Sequence, residues 1–461
     1  MAKHISLSIL FLLFAFSVFL QRRRTHPRLP PSPPAIPILG HLHLLLKQPI
    51  HRHLQTLSQK YGPIFSLRFG SRLLVIISSP STVEECFTKN DIIFANRPCF
   101  LFGKYIDYNY TTIASAPYGE HWCNLRRLSN LEIFSTNRLN MFLGIHRDEI
   151  KLLLRQLSRN SRDHFARVEL RPIFIELTCY IIMRMVAGKR YYGEAVDFEE
   201  AKQFREELVK INRMKEVIFQ GLIGEHRSPT GLVNKNTMID HLLSMQKSEP
   251  EYYTDEIIKG LALDLIFAGT DTTATTIEWA LSLLLNHPHV LKKTRVELDA
   301  LVGKDRLMEE SYFPKLQYLQ NIIFETLRLF PVAPLLVPHM SLENSQIGGF
   351  DIPRDTILLA NVWAIHRDPK LWEDATSVKL ERFENIGGAE TYKLLPFGLG
   401  RRGCPGVGLA NRVVGLALGS LIQCYEWERV SEKEVDMAKG KGLTMPKMEP
   451  VEAMCKARAI I

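Results

Sequence analysis

Phe397-Gly398-Leu399-Gly400-Arg401-Arg402-Gly403-Cys404-Pro405-Gly406 sets one cysteine in a glycine-rich loop directly before an apolar run, and the fold turns on how that cysteine is read. Glycines let backbone amides approach a sulfur closely, and the positive end of a helix dipole favours thiolate over thiol. Such a thiolate can be a nucleophile, a zinc ligand or an axial ligand of haem iron. Zinc lacks further Cys or His ligands at any usual spacing, and no nearby histidine offers itself as the base for a nucleophile. Haem iron needs a single protein ligand, and Arg402, two residues before the sulfur, could pair with a propionate. A buried structural cysteine is the competing reading, and it suits the other six: Cys86, Cys99, Cys123, Cys179, Cys424 and Cys455 are scattered without a CxxC pair.

Around this loop the pattern is mostly helical. A helix is expected from near Gly406 to about Tyr425. Upstream, Thr254 caps an apolar run Asp255–Asn286 that Pro288 ends, and Lys315–Leu329 forms another helix before Pro331. β-branched and aromatic alternation from Tyr61 to Ser79, with Gly62-Pro63 and Gly70-Ser71 as turns, predicts a β-hairpin. The fold class is therefore mainly α with a small β region, and no repeat of 20–50 residues is present. Glu325-x-x-Arg328 reads either as a surface i,i+3 ion pair or, on so apolar a helix, as a buried pair that Arg382 completes into a triad. Trp122 and Arg126 share one helical face, as a pair holding a carboxylate would, or as a core tryptophan beside an unrelated arginine. Asp271-Thr272-Thr273 interrupts an apolar helix. Its threonines either back-bond to the preceding turn or open the helix locally beside the small residues Ala268 and Gly269.

The N-terminus points to a membrane. Residues 5–20 carry no charge, and Arg22, Arg23 and Arg24 follow. Sixteen residues span about 24 Å as a helix, enough for a thin bilayer with flanking help. A cleaved signal peptide would carry its positive charge before the apolar run, where only Lys3 stands, and a small-x-small site after it, which is not present. The arginines keep the body cytosolic, which agrees with the unpaired cysteines and predicts that the sequon Asn109-Tyr110-Thr111 stays unglycosylated. This gives a single-pass anchor at 1–21, a basic stop and proline-rich hinge at 22–40 (Pro27, Pro30, Pro31, Pro33, Pro34, Pro37, Gly40), and a body at 41–461. Forty-six per cent hydrophobic residues, 27 Gly and 25 Pro describe an ordinary globular chain, so disorder and disulfide miniature scaffolds are excluded. The net charge of +9 suits an anionic membrane surface or an acidic partner. Without a basic run interleaved with aromatics past the N-terminus, no nucleic acid is expected.

Phe397-x-x-Gly400-x-Arg402-x-Cys404-x-Gly406 resembles the haem-binding loop of cytochromes P450. Glu325-x-x-Arg328, Ala268-Gly269-Thr270-Asp271-Thr272-Thr273 and Trp122-x-x-x-Arg126 resemble three further motifs of that family. The likeness spans the chain and is nearest to plant microsomal members of family 81, the isoflavone 2'-hydroxylase-like group. It implies a cytochrome P450 fold with an N-terminal membrane anchor and one haem b whose iron is ligated by Cys404. Phe397, Gly400 and Gly406 would shape the loop, and Trp122, Arg126, Arg402 and His339 would hold the propionates, His339 standing where many relatives carry arginine. Glu325, Arg328 and Arg382 would brace the loop, Thr272 would hydrogen-bond dioxygen and Asp271 would relay protons. The implied partners are NADPH–cytochrome P450 reductase, cytochrome b5 as a second donor, membrane lipid and a small lipophilic plant metabolite, with the body on the cytosolic face of the endoplasmic reticulum. Two departures stand out: the segment 197–227 is several turns shorter than the family's two roof helices, and Leu380 replaces the usual proline before Glu381-Arg382-Phe383. The alternative is a haem-binding remnant that turns little over because the shortened roof admits water.

Overall fold

The structure is a computed structural model. It describes residues 28–46, 49–190, 211–228, 237–384, 392–442 and 444–460, with the backbone alone for 211–218. The expected anchor at 1–21, the basic stop and residues 197–210 of the shortened segment lie outside the described residues. What is described is mainly helical with three small sheets, as the sequence pattern predicts. The chain divides into two compact units interleaved along the sequence. One comprises Met1–Pro98, Leu335–Glu373 and Gly398–Arg402; the other comprises Cys99–Pro334, Asp374–Phe397 and Gly403–Ile461.

The first unit is built on the expected hairpin. Ile64–Phe69 pairs antiparallel with Arg72–Ile77 in the register Ile64↔Ile77 to Phe69↔Arg72. The turn between them needs Gly70, whose φ is +62°. Ile357–Ala360 adds parallel to Arg72–Ile77, and His339–Met340 adds antiparallel to that strand. The proline-rich stretch is fastened along this sheet from Pro30 onward. The Ser66 hydroxyl donates to the Pro30 carbonyl at 2.9 Å and the Ser66 amide to the Pro31 carbonyl at 2.8 Å. His41 receives the Arg68 amide at Nδ1, 2.8 Å away, so its Nε2 carries the hydrogen that reaches the Pro33 carbonyl at 3.0 Å.

In the second unit the expected central helix runs from Asp255 to Asn286, and the Thr254 hydroxyl accepts the Ile257 amide at its start. It is mostly apolar because it is packed against the helices Arg171–Ala187, Gln317–Leu329 and Val407–Cys424, buried over 258–263 and 273–285 and less so over 264–272 between them. Gly269 permits the closest of these approaches: a Cβ there would lie 2.9 Å from Ile182 Cδ1. Trp279 stacks on Phe330 with ring centres 4.1 Å apart and donates its indole hydrogen to the Met445 carbonyl. The helix expected at Lys315 starts two residues later, at Gln317, after a 3-10 turn over Glu310–Lys315. Pro314 has no amide hydrogen for a helical ladder, and the Glu297 carboxylate caps the new start by accepting the Tyr318 and Leu319 amides. A second sheet pairs Glu452–Ala457 with both Ala166–Glu169 and Tyr425–Arg429.

Candidate functional site

The loop before Val407–Cys424 is closed by its own backbone. The Cys404 amide donates to the Phe397 carbonyl at 2.9 Å, while Gly398 and Gly400 take φ values of +71° and +72°. Gly400 is also pressed against its own unit, where a Cβ would fall 2.2 Å from the Phe87 carbonyl oxygen and 2.7 Å from Asp91 Oδ1. The Asp91 carboxylate accepts the Arg401 amide at 3.1 Å and pairs with its guanidinium at 3.2 Å. Burial pushes Asp91 above the usual carboxylate range, and the Arg401 amide and charge oppose that. We expect Gly400→Ala to cost about 2 kcal/mol or more, since the left-handed turn and the backbone overlap add. A thermal unfolding curve for the haem-loaded protein reads this, and a variant as stable as the parent would contradict it.

Cys404 stands at the start of the helix, and solvent reaches its side chain although protein crowds it. Burial pushes its thiol up, against the Gly406 amide donating to the sulfur and the Arg126 charge, both of which favour the thiolate. The protein alone thus leaves this sulfur short of the depressed pKa a free nucleophile needs. A bound metal cation deprotonates such a thiol outright, so the surroundings suit a metal ligand better. Arg126 gives a second sign of an absent anionic group. It is half-buried, its pKa is lowered by that burial with only Cys404 opposing, and it has no hydrogen-bond partner among the described residues. Trp122 lies one turn away and is buried, but its indole hydrogen is committed to the Ile113 carbonyl at 3.1 Å. At Gly406 a Cβ would meet the Phe134 ring and the Cys404 sulfur at 3.7–3.8 Å, an ordinary contact, so this position supplies its amide rather than its small size.

The first unit carries the other residues expected at the propionates. Arg402 is buried and donates Nε to the Ala95 carbonyl at 2.6 Å. His339 donates from Nδ1 to the Phe94 carbonyl at 2.7 Å and stacks on Phe87 at 4.2 Å. Burial holds its pKa well below the usual value, and the charges of Arg97 and Arg402 push the same way. A neutral ring with its hydrogen on Nδ1 leaves Nε2 as an acceptor, which meets a carboxylate only once a second proton is taken up. Sequence reasoning missed Arg97, a buried guanidinium that donates to the Val337 and Pro338 carbonyls at 3.1 and 2.7 Å and whose pKa burial lowers to about 9. The signal for it was a lone cation in the largely apolar stretch between Phe94 and Phe100.

The three bracing residues meet in the second unit as a buried network. Glu325 takes a two-pronged contact from Arg328, 2.6 and 2.8 Å, with both side chains fully buried. Arg328 also donates to the Ala375 carbonyl at 2.6 Å and the Ser377 carbonyl at 3.2 Å. Glu325 Oε1 accepts the Lys379 amide at 2.9 Å and lies 3.5 Å from Arg382 Nε. The surface-pair reading of Glu325-x-x-Arg328 therefore falls away. Leu380, where a proline was expected, is itself buried in the core.

On the central helix the Thr272 hydroxyl back-bonds to the Ala268 carbonyl at 2.5 Å. Its hydrogen is therefore taken in this arrangement, and it can donate elsewhere only by turning away from Ala268. Asp271 is held from across the chain, its Oδ2 accepting the Thr444 hydroxyl at 3.0 Å.

A family model described as cytochrome P450 matches residues 30–220 and 212–451 of the chain. The chain is 52% identical to cytochrome P450 81Q32 of Catharanthus roseus, covering 99% of this chain and 96% of that protein. It is 50% identical to an isoflavone 2'-hydroxylase of Glycyrrhiza echinata, covering 99% and 97%. Both alignments run over 490 positions, against the 461 residues of this chain, so each relative has residues that this chain lacks. Among solved structures, a zebra fish cytochrome P450 with progesterone is similar with a TM-score of 0.79 at 26% identity, covering 89% of this chain and 100% of that one.

Proposed function

This chain belongs to the cytochrome P450 family and is a monooxygenase of it, and from that premise we propose that it hydroxylates a small phenolic, flavonoid-like substrate of plant secondary metabolism. The reading is carried by Cys404, a crowded thiol facing an unpartnered Arg126, and by relatives at about half identity that are named as isoflavone hydroxylases. The remnant reading is not favoured by such relatives. Haem, when bound, supplies oxygen activation and the insertion of one oxygen atom into a C–H bond.

The chain's own residues then have distinct tasks. Cys404 gives up its proton and holds the iron from the helix start, where the Gly406 amide stabilises the negative sulfur. Arg126 would neutralise a propionate, as would Arg402, while the Trp122 indole stays on the Ile113 carbonyl; His339 would join only when doubly protonated. Glu325, Arg328 and Arg382 keep the segment ahead of the loop from shifting. Asp271 takes protons from solvent at its exposed carboxylate, and Thr272 turns its hydroxyl from the Ala268 carbonyl to donate toward the oxygen site. Electrons come from NADPH through NADPH–cytochrome P450 reductase, with cytochrome b5 as a second donor. The 1–21 segment anchors the chain in the endoplasmic reticulum with the body in the cytosol. Val407–Cys424, the helix among the described residues that is apolar and long enough to span a bilayer, is mostly buried in the second unit and so is core. The matches that meet at residues 212–220 support a shortened roof at 197–227.

Turnover of an isoflavone and flavone panel by the reconstituted protein, reductase and NADPH tests the substrate class. Hydroxylated product is expected, and NADPH-dependent products restricted to non-phenolic substrates would overturn it. Thr272→Val should leave haem binding intact and lower product formation about ten- to a hundredfold, as loss of a positioned proton donor does, while NADPH oxidation continues. Equal product rates would show that the hydroxyl never leaves Ala268. Deleting residues 1–28 should move much of the protein from microsomes to the soluble fraction; unchanged membrane retention would place the anchor elsewhere.

A further inference from the structure

One carboxyl of the central helix has no place in the chemistry above. Asp264 lies one turn before Ala268-Gly269 in the helix and partly faces solvent, and its Oδ2 accepts the Ala114 amide at 3.0 Å. Gly260, one turn earlier on the same face, lets the same loop approach. A Cβ there would be 3.2 Å from the Thr112 methyl and 3.6 Å from the Tyr108 ring. The loop these two residues receive is held in a conformation that its residues do not choose unaided. Tyr108, Asn109 and Tyr110 take φ values of +47°, +55° and +63° in succession, a region that bulky side chains avoid. The Tyr110 ring sits where a side chain on Gly103 would be, 2.5 Å from its Cβ position. Asp107, at the start of the turn, is buried, as is Thr112, whose hydroxyl lies 3.2 Å from that of Ser115.

We propose that Asp264 is a positioning residue that fastens the 107–116 segment to the central helix, and that the enclosure of its carboxyl between helix and loop makes this fastening, and with it substrate affinity, weaken as pH rises. The link to substrate rests on the monooxygenase reading, with the substrate taken to bind against 98–118 and 261–269; the fastening itself does not. A strained turn stays in place only while the contacts around it exceed its strain, and Asp264 supplies the hydrogen bond from the central helix, beside those from His121 and Trp122 on the helix after the loop. Burial pushes the Asp264 carboxyl up to about 7 and the Asp107 charge pushes further. The Ala114 and Ile113 amides and the Thr112 hydroxyl oppose them. Lys259 acts on Asp255, and His121, on the helix after the loop, bonds the Thr111 carbonyl and the Tyr252 hydroxyl.

The sign follows from linkage. A released loop returns the carboxyl to water and to its ordinary value of 3.8, so release gives up a proton wherever the pH lies between that value and about 7. Raising the pH therefore favours release, and the release equilibrium grows about tenfold from pH 6 to pH 8 before levelling off.

Amide hydrogen exchange on the haem-loaded, detergent-solubilised protein reads this without any substrate. Exchange of a peptide covering 107–116, corrected for intrinsic rate, should speed up about tenfold between pH 6 and pH 8. Asp264→Asn keeps an acceptor without the charge and should be slow at both pH values. Asp264→Ala should be fast at both, and Asp107→Asn should lessen the dependence without removing it, since burial is the larger cause. Each variant is first required to show the parent's reduced-CO spectrum. A pH-independent parent, or an Asp264→Ala protein protected like the parent, overturns the proposal. An isoflavone titration by haem spectrum, run beside it, separates the two readings. The exchange pattern with an isoflavone affinity that falls in parallel supports both, whereas the pattern with no isoflavone binding upholds the fastening and removes the substrate reading.

Discussion

Cys404→Ala should abolish the Soret band that marks a thiolate-ligated haem in the reduced, CO-bound protein, and abolish turnover with it. The other six cysteines should be replaceable one at a time without that loss. The expectation follows from the surroundings of each sulfur. Cys86 and Cys424 are buried with thiols that burial pushes up, and neither has an amide donor among the causes acting on it. Cys404 alone among the described cysteines combines an accessible side chain, a donating glycine amide and a facing arginine that lacks a hydrogen-bond partner. Arg126→Gln should keep the band but lower haem retention, since a half-buried amide cannot neutralise a propionate. If Cys404→Ala retained the thiolate spectrum, the site would have to be rebuilt around another sulfur.

Glu325→Ala should be the most damaging change to stability away from the sulfur. It would leave Arg328 fully buried without its carboxylate partner, and would take the acceptor from the Lys379 amide and the nearby charge from Arg382. Removing one partner from a buried ion pair costs about 3–5 kcal/mol, because the remaining charge stays desolvated. Expression should therefore yield mostly haem-free, aggregated chain, and any soluble fraction should unfold at markedly lower denaturant. Arg328→Lys should also be severe, since a lysine cannot make the two-pronged contact and reach the Ala375 and Ser377 carbonyls together. An alanine variant with a denaturant midpoint equal to the parent's would return Glu325 to the role of an ordinary surface residue.

These expectations separate what local sequence can specify from what it cannot. The central helix was legible to the residue, from Thr254 at its cap to Pro288 beyond its end, because capping and proline act over one turn. The hairpin at 64–77 was legible from alternation and Gly70. The Glu325–Arg328–Arg382 network was legible as a possibility, since an apolar helix cannot bury a lone charge, but only packing showed it to be buried. The helix start at Gln317 was missed because its cap is Glu297, twenty residues upstream and invisible to a local pattern. The same holds for the hydrogen on His339, which the Phe94 carbonyl decides, whereas the Thr272 back-bond, local to one turn, was one of the two readings the sequence offered. Arg97 and Asp264 went unseen for a related reason. Each is an isolated charge whose meaning comes from backbone groups of distant segments.

The central claim is that this chain inserts one atom of molecular oxygen into a phenolic plant metabolite at a haem held by Cys404. The most direct test incubates the purified protein with reductase, NADPH and an isoflavone under ¹⁸O₂ and weighs the product. The account predicts a hydroxylated product carrying one ¹⁸O atom, formed only with NADPH and lost in Cys404→Ala. A product whose new oxygen comes from water, or no NADPH-dependent product from protein with an intact thiolate spectrum, would contradict it.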